Sequence, residues 1–220
     1  MAERSTELVR GLLNGYGTTF AEEAGIRLAD KPGPLYQLLV LTTLLSARIS
    51  AGVAVAAARA LFAAGYRTPQ AMARASWQQR VDALGRGHYR RYDERTARML
   101  GDEAQLCLER WRGDLRRMRA EADGEVRPMR SMLIEFSGIG PTGADIFLRE
   151  VQGVWPEFRP YLDRKVTAGA AKVGLPAAPD ALARSVRAAE VPRLASALVR
   201  VALDRTAHPD ELRRAARSRR

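Results

Sequence analysis

Apolar residues recur at intervals of three and four along almost the whole chain, and this periodicity limits the possible folds more than any other feature. It runs through Thr6–Leu13, Pro34–Ala47, Val53–Ala63, Pro69–Ala75, Trp77–Leu84 and Glu94–Arg119. It resumes at Met129–Phe136, Gly143–Val151, Leu162–Val173, Ala181–Ala189 and Pro192–Asp204. Runs alternating between apolar and polar residues, the mark of a half-buried strand, are lacking. Start signals agree: Thr68 precedes Pro69, Ser76 stands three residues before Gln79, and Asp180 precedes Ala181. Gly65, Gly85 and Gly174 stand where helices should stop. The expectation is an all-α protein of about ten short helices joined by tight turns. Within the last of them, Leu194, Leu198, Val201 and Leu203 are expected to close the interior.

The segment Leu133-Ile-Glu-Phe-Ser-Gly138-Ile139-Gly140-Pro-Thr-Gly-Ala144-Asp-Ile-Phe-Leu148 carries the most chemistry. An apolar helix end meets Gly-Ile-Gly, and a second apolar helix begins at once. Glycines two residues apart permit positive φ and close backbone approach. Ile139 is expected to plug the groove between the two helices. The amides of the hairpin and of the next helix's first turn would then face outward, able to hold a phosphate. A plain interhelical turn is the alternative.

Charge points the same way. The chain of 220 residues has a net charge of +11, and 33 of its 36 basic residues are arginine. Arginine's planar fork suits bidentate phosphate contacts, so a polyanionic partner fits. A GC-rich genome enriches arginine too, so the count alone leaves both readings open. Arg86–Arg98 holds five arginines against Asp93 and Glu94, and Glu211–Arg220 holds five against one glutamate. The single cysteine, Cys107, excludes a disulfide framework and a cysteine-held cluster. No apolar run reaches the ~18 residues that span a bilayer, and the first residues lack a signal core. These features lead to the expectation of a cytoplasmic, nucleoid-associated protein without a membrane partner.

Phe136-Ser-Gly-Ile-Gly-Pro-Thr-Gly-Ala144 resembles the hairpin of the helix–hairpin–helix DNA glycosylase superfamily, which includes endonuclease III and adenine glycosylase. Tyr161-Leu-Asp163-Arg-Lys-Val166 is similar to the stretch that carries that family's catalytic aspartate. Tyr36 to Arg48, ending Leu-Leu-Ser-Ala-Arg, resembles the helix whose last residue fills the gap left by a flipped base, and Thr68-Pro69-Gln-Ala-Met72 matches a recurring helix start. The resemblance spans roughly residues 30–205. It implies two helical lobes with a cleft between them, residues 1–30 with 129–220 forming one and 31–128 the other, with the hairpin 137–143 partly at the cleft.

It also implies roles. Asp163 would be catalytic, stabilising positive charge on the sugar, while its other reading is a cap for the following helix. Gly138, Ile139, Gly140, Thr142, Gly143, Arg48 and Lys165 would contact DNA. The turn Arg86-Gly-His88-Tyr89-Arg90-Arg91-Tyr92 would add phosphate contacts and a side chain that wedges into the duplex, or else be a basic surface loop. Tyr161 and Trp155 are candidates for a base pocket or for the core, as is Phe158; Glu135 and Asp145 flank the hairpin, and His208 reads as surface. Thr142 stands where strand-cleaving members carry a lysine, so hydrolysis without lyase chemistry is expected. Lys165 could replace that lysine, although residues two apart on a helix do not share a face. No cofactor is expected, a monovalent cation at the hairpin backbone apart.

The function this reading implies is removal of a damaged or mismatched base from duplex DNA by a monomeric, monofunctional glycosylase. A non-catalytic binder of lesions or distorted duplex is the alternative, and an interaction protein without nucleic acid a third.

Overall fold

The computed structural model describes residues 2–204 and residue 210, with side chains from Ser5 onward. His208 and the Glu211–Arg220 segment lie outside the described residues. Those described form thirteen α-helices and two short 3-10 turns, with no strand among them. The all-α expectation therefore holds. No described helix is long and apolar enough to cross a membrane.

Two compact units emerge: residues 21–157, and residues 1–20 together with 158–220. This division differs from boundaries at 30 and 129. Residues 129–157, hairpin included, stand with the central unit, because α10 (Pro141–Val151) packs along α3 (Pro32–Ser46) and against α9 (Val126–Ile134).

In the larger unit α3 is apolar on every side and buries nine consecutive or near-consecutive residues from Leu35 to Leu44. A helix of that kind must be surrounded. Around it pack α4 (Ala51–Ala63), α7 (Asp93–Trp111), α8 (Leu115–Glu121) and α10. α5 (Pro69–Arg74) and α6 (Trp77–Arg86) lie against α7, the first started by the Thr68 hydroxyl and the second by a Ser76–Gln79 capping box. Gly65, at φ +92°, follows α4, but Gly85 lies inside α6, which ends at Gly87. The long periodic run from Glu94 to Arg119 is two helices. Arg112 and Gly113 both take left-handed φ, at +53° and +77°, and Asp114 then caps α8 by accepting from the Arg116 amide. Periodicity alone does not register a two-residue break that keeps apolar residues in phase.

The smaller unit holds α1 (Ala2–Tyr16), α11 (Arg164–Lys172), α12 (Pro179–Ala183) and α13 (Val191–Leu203). Asp180 lies within α12 rather than capping it. α11 meets α13 at Gly169, where a Cβ would stand 2.0 Å from the Leu198 carbonyl oxygen. Leu194, Leu198 and Val201 are wholly buried, but Leu203 is 58% exposed. Nine residues past Leu194 on a 3.6-residue helix, Leu203 points to the opposite side, which corrects its expected place in the core.

Candidate nucleic-acid interface

The hairpin forms from local backbone chemistry. After α9, Phe136 packs its ring 5.3 Å from that of Trp111 and fixes the incoming chain. Gly138 adopts φ +91°, a region open to glycine at no steric cost. A Cβ there would also stand 1.8 Å from the Met99 Cε. Ile139 is 3% exposed and donates its amide to the Phe136 carbonyl at 3.0 Å, so the plug is formed. Gly140 is the N-cap of α10 and Pro141 its first residue, and with no side chain at the cap the first turn has no side-chain cap hydrogen bond. A Cβ on Gly140 would meet nothing within 4 Å. Gly143 faces inward, where a Cβ would stand 2.6 Å from the Ser46 Oγ and 3.0 Å from Ile139. Thr142 is exposed.

Beside Gly138 lies a recess of about 350 Å³ lined by Thr43, Ser46, Ala47, Arg48, Tyr89, Tyr92, Arg95, Thr96, Met99 and Gly138. The fold thus brings Arg48, two residues past the end of α3, together with the hairpin. Arg95 joins them from the first turn of α7, a contribution not singled out from the sequence. Tyr89 is buried, with its hydroxyl 3.1 Å from that of Thr96, and anchors the basic turn. Gly87 is required before it, since a Cβ would stand 2.3 Å from the Ala57 backbone. His88 follows at φ +61° with its side chain exposed. Arg86, His88 and Arg90 line a separate surface hollow with Asp82 and Asp93. Arg91 is exposed and lies over the Tyr92 ring at 5.2 Å.

Behind the recess the structure holds a group that sequence reasoning passed over. Glu103 is fully buried, and its Oε2 lies 2.5 Å from the Thr43 Oγ1. Burial pushes its carboxyl up to about 8 despite that bond. A signal was available. Glu103 stands at helical spacing from Thr96 and Leu100, on the stripe of α7 that must face the core.

In the other unit, Asp163 is the N-cap of α11 and half-buried. Its Oδ1 accepts from the amides of Lys165 and Val166, both at 3.0 Å. The capping role is therefore real. Lys165 is exposed, and Tyr161 is half-buried two residues before Asp163. Trp155, a base-pocket candidate, has no exposed surface. Its indole donates to Asp30 at 2.9 Å and its ring lies 6.0 Å from that of Phe147, so it is part of the core and not a pocket wall. Phe158 is buried as well, whereas Glu135 and Asp145 pair with Arg110 and Arg130.

No family model matches the chain, and no curated protein does. Among solved structures it is similar to a trapped endonuclease III–DNA covalent intermediate, an estranged-adenine complex. The two chains are 16% identical, with 73% of this chain and 70% of that one covered and a TM-score of 0.46.

Proposed function

We propose that this protein binds duplex DNA through the hairpin and excises a damaged or mismatched base by hydrolysing its N-glycosidic bond. The observation that carries the reading is the hairpin itself. Left-handed Gly138, buried Ile139 and an open Gly140 lead into a helix whose first amides have no side-chain cap, next to Arg48 and Arg95. Such amides and guanidinium groups suit phosphate oxygens. Gly140 offers no atom to hold a strand away.

Base excision passes through a transition state with positive charge on the sugar. In this reading Asp163 supplies the facing carboxylate and orients the attacking water, while Oδ1 keeps its cap on α11. The target nucleotide must leave the stack for that contact to form. Thr142 has no amine, so no Schiff base forms at the hairpin and the strand is left intact. A four-cysteine iron–sulfur cluster does not fit a chain whose single cysteine, Cys107, is buried in α7, and no step runs through one.

A panel of duplexes, each holding one lesion, incubated with protein and then treated with alkali, tests the reading. The expected product is an intact strand with an abasic site, cut only by alkali. Asp163→Asn, which keeps an N-cap, should lower turnover by on the order of 10²–10³, about 3–4 kcal/mol. If borohydride traps a covalent adduct that Lys165→Ala abolishes, Lys165 is a nucleophile and the hydrolytic route is wrong. Tight binding of distorted duplex without excision anywhere in the panel would leave Asp163 as a helix cap and the protein as a binder.

A further inference from the structure

Glu103 has no part in the chemistry above, yet it is a buried ionisable side chain in contact with Thr43, which lines the recess beside Gly138. It has no exposed surface, and among the described residues it forms no ion pair and its Oε1 has no hydrogen-bond partner. Its Oε2 meets Thr43 Oγ1, sixty residues away in sequence, at 2.5 Å. Thr43 is itself buried and donates to the Leu39 carbonyl oxygen at 3.3 Å. A hydroxyl has one hydrogen, and here two oxygens flank it. The set closes when the carboxyl carries a proton: Thr43 then donates to Leu39 and receives the proton of Glu103. An ionised carboxylate would take the Thr43 hydrogen for itself and be left as a buried, uncompensated charge.

The other side of Thr43 meets the hairpin. Its Cγ2 stands 3.3 Å from where a Cβ of Gly138 would be, and both residues line the recess with Arg48. Thr43 therefore stands against the left-handed turn that leads into the amides of α10.

We propose, resting on the reading of the hairpin as the DNA grip, that Glu103 is a positioning residue: its protonated carboxyl fixes Thr43, Thr43 seats Gly138, and loss of that proton loosens the hairpin from DNA. The groups around Glu103 leave the titration to it. Tyr36 on α3 is raised well above its usual value by burial first and by the charge of Glu103 second. The Cys107 thiol on α7 is pushed up to about 12 by burial, with Glu103 and then Asp114 of the α8 cap adding to it. Arg80 of α6, its own value lowered by burial, acts on Tyr36 in the opposite direction to Glu103. Glu103 is thus the member of this cluster that ionises near 8.

The test uses the full chain and reads two signals. In protein with ¹³C-labelled glutamate, the Glu103 carboxyl and the amides of Gly138, Ile139 and Gly140 are followed by NMR from about pH 6.5 to 9.5. Duplex affinity is measured against salt near pH 7 and near pH 9, for the unaltered protein and for Glu103→Gln. The expected result is a shared midpoint near 8 for carboxyl and hairpin amides. Affinity should fall about fivefold at near-physiological salt for each phosphate contact released, with the salt slope shallower by about 0.9. Glu103→Gln should show no such fall. Hairpin amides that stay still while Glu103 titrates overturn the proposal, as does an equal loss of affinity in Glu103→Gln. Should that variant not fold, the titration of the unaltered protein decides alone. DNA that binds while the amides stay still removes only the positioning role. DNA that binds at neither pH removes the proposed function, and this proposal with it.

Discussion

A carboxyl that keeps its proton to about 8 inside the fold, against about 4.5 outside it, makes stability depend on pH in a fixed direction. Above about 4.5 the native state holds a proton that the unfolded chain has lost, so the native state is disfavoured progressively as pH rises and the effect levels off past 8. The cost at Glu103 is on the order of 5 kcal/mol at the alkaline end. Gln keeps the shape and a donor for Thr43 without the charge. Glu103→Gln should therefore be the more stable protein near pH 9 by a few kcal/mol and match the unaltered chain near pH 4. Urea midpoints at the two pH values check this, and an equal gap at both would show that the carboxyl titrates normally.

The hairpin's glycines differ in what each one permits, and substitutions should sort them. Gly140 has φ −99° and open space around its Cβ position, so Gly140→Leu should cost no more than about 1 kcal/mol, the loss of a tolerated N-cap residue, while weakening DNA binding. Gly143→Ala pushes on Ser46 and Ile139 at the α3–α10 contact, and should cost about 1–3 kcal/mol. Gly138→Ala meets both the left-handed φ and Met99, and should be the worst tolerated. Thermal unfolding beside a duplex titration measures all three. Loss of the fold in Gly140→Leu would mean that the turn, not DNA, requires glycine there.

In the proposed reading, the arginine content of the chain acts in binding only through where the side chains stand. With Arg48 and Arg95 on the recess and Arg86, Arg90 and Arg91 exposed at the end of α6 and on the turn before α7, about four to six phosphates are within the means of this surface. Duplex affinity should then fall with salt on a log–log slope of roughly −3 to −6. Arg48→Ala should make the slope shallower by about 1, uniformly across DNA sequences. A slope near zero would remove nucleic acid from the account.

Helices, most of their caps and the hairpin turn follow from the sequence alone, because each depends on residues within a few positions of one another: side-chain spacing, a hydroxyl three residues from an amide, a glycine at positive φ. Ile139 as a plug belongs to the same class, since its two flanking helices are adjacent in the chain. What depends on distant residues was decided by tertiary packing. Trp155 lies in the core because Asp30, far upstream, offers its indole an acceptor. Residues 129–157 join the central unit because α10 packs along α3. Arg48 shares a recess with Gly138 and Arg95, while Arg86 and His88 line another, through the way α3, α6 and α7 stack. Glu103 could be read as an acid on an apolar stripe, but that its neighbour is Thr43, and that Thr43 touches the hairpin, depends on a contact across sixty residues. Local spacing carries no information about such a contact, because the free energy that forms it comes from burying α3 among its neighbours.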